Sequence, residues 1–348
     1  MRAAGGVCVH HIAMRQPRGS RALWHLGGDQ RLQIARLHRN IVVPRAKEID
    51  MTSFGAPAGP HGVVVGVDGS TASLAALDWA ARDADLRDLP LTLVHVLAQV
   101  DAAAWIDVPI PEDFVEMRDR RGEEIMRDAV DAATQRISDE SRVPIRQCMV
   151  EGRAAGTLVD MSKDAQLVVV GCRGLGKIEG LILGSVSAAL LHHAHGPVAV
   201  VHEDFSTSSR PADAPVVVGV DGSPASELAV EVAFDEASRR GVGLIAVHAW
   251  LDRSATVPGL YWEDFRVDAQ ETLAERLAGW SERYPDVAVE RTAVESKPAE
   301  QLIALSEAAQ LVVVGSHGRG GFAGLLLGSV GSAVAHGARS PVIVVRPR

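Results

Sequence analysis

The chain has 348 residues, 47% of them hydrophobic and 23% charged. That is enough for about two domains of ordinary size, and the mix is unlike that of disordered, collagen-like or fibrous chains. Six Trp, two Tyr and six Phe are its only aromatic side chains, so the core has to be mostly aliphatic. Residues 1–50 carry nine Lys and Arg against three Asp and Glu, which leaves 26 basic and 41 acidic residues for the rest. A body this acidic argues against a sequence-independent grip on nucleic acid, which depends on Lys and Arg neutralising phosphates.

At the start of the chain, in the 1–60 extension, residues 1–50 show no apolar run of signal-peptide type, although they are Arg-rich and acid-poor enough to resemble a transit segment weakly. Met51 opens a short polar run just before the first clear strand. The simpler reading makes Met51 the true start and the upstream part an over-extended reading frame or a disordered extension, which intact-mass measurement of native protein would check. Cys8, Cys148 and Cys172 lie far apart and match neither a metal-ligand spacing nor a disulfide framework. They read as free thiols in a reducing, cytoplasmic setting.

From residue 61 onward the sequence repeats. Val63-Val64-Val65-Gly66-Val67-Asp68-Gly69-Ser70 returns as Val216-Val217-Val218-Gly219-Val220-Asp221-Gly222-Ser223, and Leu167 to Val201 returns as Leu311 to Val345, at offsets of 153 and 144 residues. Units of this size are whole domains, too long for solenoid repeats. The expected organisation is a domain over 61–203, a polar Ser/Pro-rich linker over 204–215 and a second domain over 216–348.

In chain order, the first copy gives strands at 63–67, 91–97, 143–150, 167–171 and 197–202, with helices at 72–88, 112–139, 154–164 and 184–195 between them. The second gives strands at 216–220, 243–249, 287–294, 311–315 and 341–345, with helices at 224–240, 262–283, 298–308 and 328–337. β-Branched runs alternating with helical patterns mark a parallel sheet with crossover helices, and runs such as Leu167-Val168-Val169-Val170 suit central strands covered on both faces. The stretch from Gly180 to Val201 contains no Asp, Glu, Lys or Arg over 22 residues. His192, His193, His195 and the Gly196-Pro197 break exclude a membrane span there.

Ligands of open parallel sheets sit beyond the carboxyl ends of the strands. Two loops per copy fall there. After the first strand, Asp68 and Asp221 stand at matching positions, able to hold ribose hydroxyls or a phosphate-bound metal, or simply to bond their own turn. Ser223-Pro224 suits a helix start. The second loop reads Gly171-Cys172-Arg173-Gly174, nine residues, Gly184-Ser185, and again Gly315-Ser316-His317-Gly318, nine residues, Gly328-Ser329. Glycines admit a phosphate close to the backbone, and the amides of a helix start favour an anion.

On these motifs the chain resembles the universal stress protein family, in the tandem form of its ATP-binding branch, over nearly all of 63–346. The resemblance implies two Rossmann-like α/β domains of the adenine nucleotide alpha hydrolase type, each a five-stranded parallel sheet in order 3-2-1-4-5 with helices on both faces. It also implies ATP with Mg²⁺ in the crevice and pairing of the two modules through their last strands. Carried over by position, the nucleotide contacts of copy one fall on Gly66, Asp68, Gly171, Cys172, Arg173, Gly174, Leu175, Gly176, Lys177, Gly184, Ser185 and Val186. Those of copy two fall on Gly219, Asp221, Gly315, Ser316, His317, Gly318, Arg319, Gly320, Gly321, Gly328, Ser329 and Val330, with Asp252 a weaker candidate. Copy two, Gly318-Arg319-Gly320-Gly321-Phe322-Ala323-Gly324, keeps the family's usual form. Copy one has Lys177 and Glu179 in that loop, the first able to pair with phosphate and the second able to repel it.

Other constellations carry less. Gly171, four residues, Gly176-Lys177 imitates a Walker A motif, but Ile178 offers no hydroxyl for Mg²⁺ and copy two has Gly321 in place of the lysine. His95 and His248 match at the end of the second strand and read as polar strand-end residues. Of His192, His193 and His195, copy two keeps only His336, which favours a solvated helix end over a metal site. Cys172 is replaced by Ser316, so oxidant sensing at the loop is not a shared feature. No nucleophile arrangement recurs in both copies, which leaves catalysis without support. The expected function is an ATP-binding regulatory module of stress response and growth control, forming an internal pseudo-dimer, then a homodimer, with unidentified protein partners and neither nucleic acid nor membrane. The alternatives are a slow ATPase or ATP-dependent adenylating enzyme, and a purely structural interaction protein.

Overall fold

The computed structural model describes residues 49–50, 61–99, 113–138, 141–174, 183–205, 210–250, 262–318 and 327–347. The first module runs β1 (Ile49–Asp50), β2 (Gly62–Gly66), α1 (Thr71–Arg87), β3 (Leu91–Ala98), α2 (Phe114–Arg136), β4 (Ile145–Gly152), α3 (Ala154–Met161), β5 (Ala165–Gly171), α4 (Ser185–His193) and β6 (Val198–Val201). The second runs β7 (Val216–Gly219), α5 (Pro224–Arg240), β8 (Leu244–Trp250), α6 (Trp262–Arg276), α7 (Trp280–Arg283), β9 (Val289–Glu295), α8 (Pro298–Ser306), β10 (Leu311–Gly315), α9 (Ser329–Gly337) and β11 (Val342–Val345).

All the strands join one 11-stranded sheet in the order β1-β4-β3-β2-β5-β6-β11-β10-β7-β8-β9. Within each module the five repeated strands lie 3-2-1-4-5, as the resemblance implied, and pair in parallel. The modules meet where β6 pairs antiparallel with β11, Val342 opposite Val200 and Val344 opposite Val198. This fulfils the expectation that the last strands pair within the chain, and it leaves neither of these apolar strands as a bare edge. Because the junction reverses strand direction, the carboxyl ends of the two modules face opposite edges of the sheet.

The central strands are buried on both faces and are unbroken apolar runs, whereas the outer strands β4 (Ile145–Gly152) and β9 (Val289–Glu295) carry polar residues at partly exposed positions. Val63 and Val65 belong to one core layer with Trp79 of α1, Ile125 of α2 and Phe234 of α5, whereas Val64 belongs to the other with Leu158 of α3, Leu190 of α4 and Val334 of α9. Each layer is continuous across the junction. Phe234 stacks on Trp280 at 5.4 Å between ring centroids. At the junction itself α1 and α5 place Asp83 and Arg87 against Glu236 and Arg240, a buried ring of four charges in which Arg240 lies 2.9 Å from Asp83 and 2.8 Å from Glu236.

Several boundaries differ from the sequence expectation. The helix over 262–283 is interrupted: α6 ends at Arg276, and Gly279, with φ +79°, starts the separate turn α7. The helix over 154–164 stops at Met161, where Ser162 Oγ donates to Val159 O at 2.6 Å and accepts from His195 N at 2.9 Å. The last strand of module one starts at Val198, after Pro197, which has no N–H to give to a ladder. The two-residue β1 pairs with Ile145 and Arg146 upstream of Met51, in a segment to which the sequence pattern assigned no element. Cys8 and the rest of the 1–60 extension fall outside the described residues. The described residues of the 180–201 stretch form the nine-residue α4 and the buried strand β6. Among the described residues no helix is long and apolar enough to cross a membrane.

Candidate functional site

Each module builds a crevice at the carboxyl ends of its first and fourth strands from two loops. In copy one, Asp68 Oδ1 accepts from Ser70 N at 2.9 Å, and Ser70, the N-cap of α1, accepts from Ser73 N at 3.1 Å. Copy two repeats this, with Ser223 N on Asp221 Oδ1 at 2.9 Å and Ser226 N on Ser223 Oγ at 3.2 Å. Gly69 and Gly222, at φ +81° and +74°, supply the backbone turn that a side chain would strain. The turn reading of the paired aspartates is met by Oδ1, and Oδ2 faces the second loop.

That second contact is what the Gly-x2-Gly spacing serves. A Cβ added to Gly174 would stand 2.5 Å from Asp68 Oδ2, and one on Gly318 would meet Asp221 Oδ2 as closely. Only glycine lets the loop backbone lie against the carboxylate. One step earlier, a Cβ on Gly171 would stand 2.6 Å from the Ala72 carbonyl carbon, so the strand end is pressed against the start of α1. The nine-residue excursion then returns: Gly184 N donates to Cys172 O at 2.7 Å, and Gly328 N donates to Ser316 O at 2.6 Å. Gly184 and Gly328 are the N-caps of α4 and α9. Glycine has no side chain to satisfy the first amides of those helices, and neither cap makes a side-chain hydrogen bond to them.

The crevices enclose about 260 Å³ in copy one and about 490 Å³ in copy two. Gly66, Asp68, Gly171, Arg173, Gly174, Gly184, Ser185 and Val186 line the first, and Gly219, Asp221, Gly315, His317, Gly318, Gly328, Ser329 and Val330 line the second. Cys172 and Ser316, expected as contacts, are instead buried beneath their loops, 3% and 0% exposed. Their carbonyls, not their side chains, serve the site. Burial also pushes the Cys172 thiol up, away from the thiolate that an oxidant sensor needs. Leu175, Gly176, Lys177, Asp252, Arg319, Gly320 and Gly321 lie outside the described residues, as do Glu179 and Phe322.

The profile of the universal stress protein family matches residues 61–202 and again 214–346. The chain belongs to the universal stress protein family. Universal stress protein Rv2623 of Mycobacterium tuberculosis is 51% identical over 286 residues, covering 82% of this chain and 96% of the relative. A universal stress protein of Mycolicibacterium smegmatis is 47% identical over 289 residues, covering 83% and 98%. A crystal structure of a universal stress protein from Archaeoglobus fulgidus shares the fold with a TM-score of 0.59 at 20% identity, over 82% of this chain and 98% of that one.

Within this universal stress pair, the crevice also has parts that motif reading missed. Val247, Ala249, Leu302 and Val314 make an apolar wall in copy two, matched by Val94, Val96, Leu158 and Val170 in copy one. The only signal for them was their recurrence at equivalent strand and helix positions. His95 Nδ1 lies 2.7 Å from Val67 O and His248 Nδ1 2.6 Å from Val220 O, so both histidines pin the carbonyl just before the loop aspartate. His192 contributes its backbone carbonyl to Arg346.

Proposed function

We propose that each universal stress module binds ATP with Mg²⁺ and that the chain works as a nucleotide-dependent regulatory module of stress response and growth control. The observation that carries this is the twice-built loop: glycine backbone against the Asp68 and Asp221 carboxylates, next to a glycine-capped helix start. In this reading the amides around Gly184-Ser185-Val186 and Gly328-Ser329-Val330 receive the phosphates, with the Ser185 and Ser329 hydroxyls as further donors. The apolar wall of Val247, Ala249, Leu302 and Val314 takes the base, and Asp68 and Asp221 hold the ribose or the metal that accompanies the phosphates. The domain organisation that goes with it is 61–203, a linker at 204–215, and 216–348, in a cytoplasmic protein that dimerises.

The carboxylates are already committed on one side to their turns, and among the described residues no positioned general base accompanies them in both copies. The reading is therefore of binding, in which occupancy stabilises one state of the fold by mass action. The test is the nucleotide content of the full chain purified without added ATP. About two ATP per chain is expected from two equivalent loops. ADP or AMP in their place would favour slow hydrolysis or adenylation, and an empty protein that binds no ATP on titration would overturn the reading.

A further inference from the structure

The residue that follows each module's last strand reaches across the junction. Arg346, directly after β11, donates from its two terminal nitrogens to Leu191 O and His192 O, both at 2.6 Å. His202, directly after β6, has Nε2 3.1 Å from Ala335 O, and since a carbonyl only accepts, that nitrogen carries the proton. The two contacts are images of each other under the repeat. His202 and Arg346 are 144 residues apart, and so are Leu191 and Ala335.

The carbonyls concerned close α4 and α9. Ala194 N takes Leu190 O at 2.9 Å and Ala338 N takes Val334 O at 3.0 Å, so the next carbonyls along have no further helical turn to pair with. These are the helices whose other ends, Gly184-Ser185 and Gly328-Ser329, open on the crevices. Each crevice helix thus starts in its own module and is closed at its far end by the other.

We infer that Arg346 is a positioning residue for the copy-one crevice and His202 for the copy-two crevice, so that each module sets the anion-binding helix of its neighbour. The inference rests on the nucleotide reading above. A helix of nine residues is about 14 Å long and moves as a stiff rod, so a clamp at one end fixes the direction of the amides at the other. A cation at the carboxyl end also complements the helix dipole that favours an anion at the amino end. The clamps are unequal: Arg346 supplies a two-pronged, permanently charged fork, and His202 a single ring nitrogen.

The test is calorimetric titration of the full chain with Mg·ATP, one crevice at a time. Gly318→Val closes copy two by driving a side chain into Asp221, and Gly174→Val closes copy one in the same way. In the Gly318→Val chain, adding Arg346→Ala should weaken ATP binding about threefold, and Arg346→His should recover part of the loss. In the Gly174→Val chain, Arg346→Ala should leave the affinity unchanged, although Arg346 belongs to that module in sequence. His202→Ala should do the reverse, weakening copy two about twofold and sparing copy one. Equal losses at both crevices, loss only in the module that carries the substitution, or no loss at all would overturn the inference while leaving nucleotide binding intact. Absence of ATP binding in the parent chain would sink both. If Arg346→Ala does not fold, the Arg346→His and His202→Ala arms still decide, because each predicts an effect at one named crevice.

Discussion

Replacing Arg240 with Met should cost the fold about 3–5 kcal/mol at neutral pH, the range for removing one partner from a buried charge cluster. Arg240 holds Asp83 Oδ1 at 2.9 Å and Glu236 Oε2 at 2.8 Å, and both carboxylate side chains are only 1% exposed. It also lies over the Trp79 ring at 5.4 Å, a contact worth roughly 0.5–1 kcal/mol that is part of the same loss. Arg87 completes the ring, at 2.8 Å from Asp83 and 3.3 Å from Asp235, with Glu236 as its third partner. Even with both arginines present, burial and then repulsion from Glu236 push Asp83 up to about 6 from 3.8. Burial also works to raise Glu236, but Arg240 and Arg87 outweigh it and hold that carboxyl below its ordinary value. On acidification Asp83 is therefore the side of the pair that burial and Glu236 drive towards the neutral form, while the two arginines favour the charged form of Glu236.

The sign of the pH effect follows. A carboxyl whose folded pKa is raised binds more protons folded than unfolded, so its contribution is full below the unfolded value and lost as pH rises through the folded one. With Met at 240 two buried carboxylates share one arginine, so Asp83 shifts further upward and Glu236 loses part of what holds it down. The deficit relative to the parent should be full near pH 8 and shrink towards about pH 5 as the carboxyls take up protons. Urea denaturation followed by circular dichroism across that range measures it. A deficit under about 1 kcal/mol at the alkaline end, or one of equal size at the acid end, would refute the reasoning.

Three further outcomes are expected. Asp221→Asn keeps an oxygen for Ser223 N, so the urea midpoint should barely move while affinity for Mg·ATP at copy two falls about tenfold; parallel losses in both would make the carboxylate a turn residue only. Cys148 and Cys172 are buried and burial pushes both thiols up, so a thiol reagent near neutral pH should modify them only as fast as the chain unfolds. Fast labelling of either in the native chain would contradict their placement. Phe234, fully buried against Trp280 and Tyr284, should cost about 3–5 kcal/mol on truncation to Ala, read as a shift in the same urea curves; a change under about 1 kcal/mol would mean that the site collapses to fill the void.

What the sequence made legible was what repeats. Val63-Val64-Val65 and Leu167-Val168-Val169-Val170 are apolar at every position because the centre of the sheet is covered on both sides, and that physical fact located the central strands; their order came from the family resemblance. The loop glycines were legible for the same reason, since backbone contact with Asp68 and Asp221 admits nothing larger, twice. Side-chain direction was not legible. Cys172 and Ser316 occupy loop positions in the sequence, yet their side chains turn into the core, because a residue just past a strand end points by the pleat and not by the motif. The interruption at Gly279 was equally hidden, since apolar spacing continues through Leu273, Leu277 and Trp280 while the backbone turns. The ring of Asp83, Arg87, Glu236 and Arg240 went unremarked in the sequence, because only the antiparallel junction brings the two helices together and makes it interior.

That junction also decides what either crevice can be joined to. Since strand direction reverses between β6 and β11, the two openings look away from each other across the width of the sheet. No single lid and no single docked protein of modest size can cover both. Whatever docks at one crevice stands on the edge where the other module's helix ends, beside Arg346 or His202, so the back of one compartment forms part of the doorstep of the other.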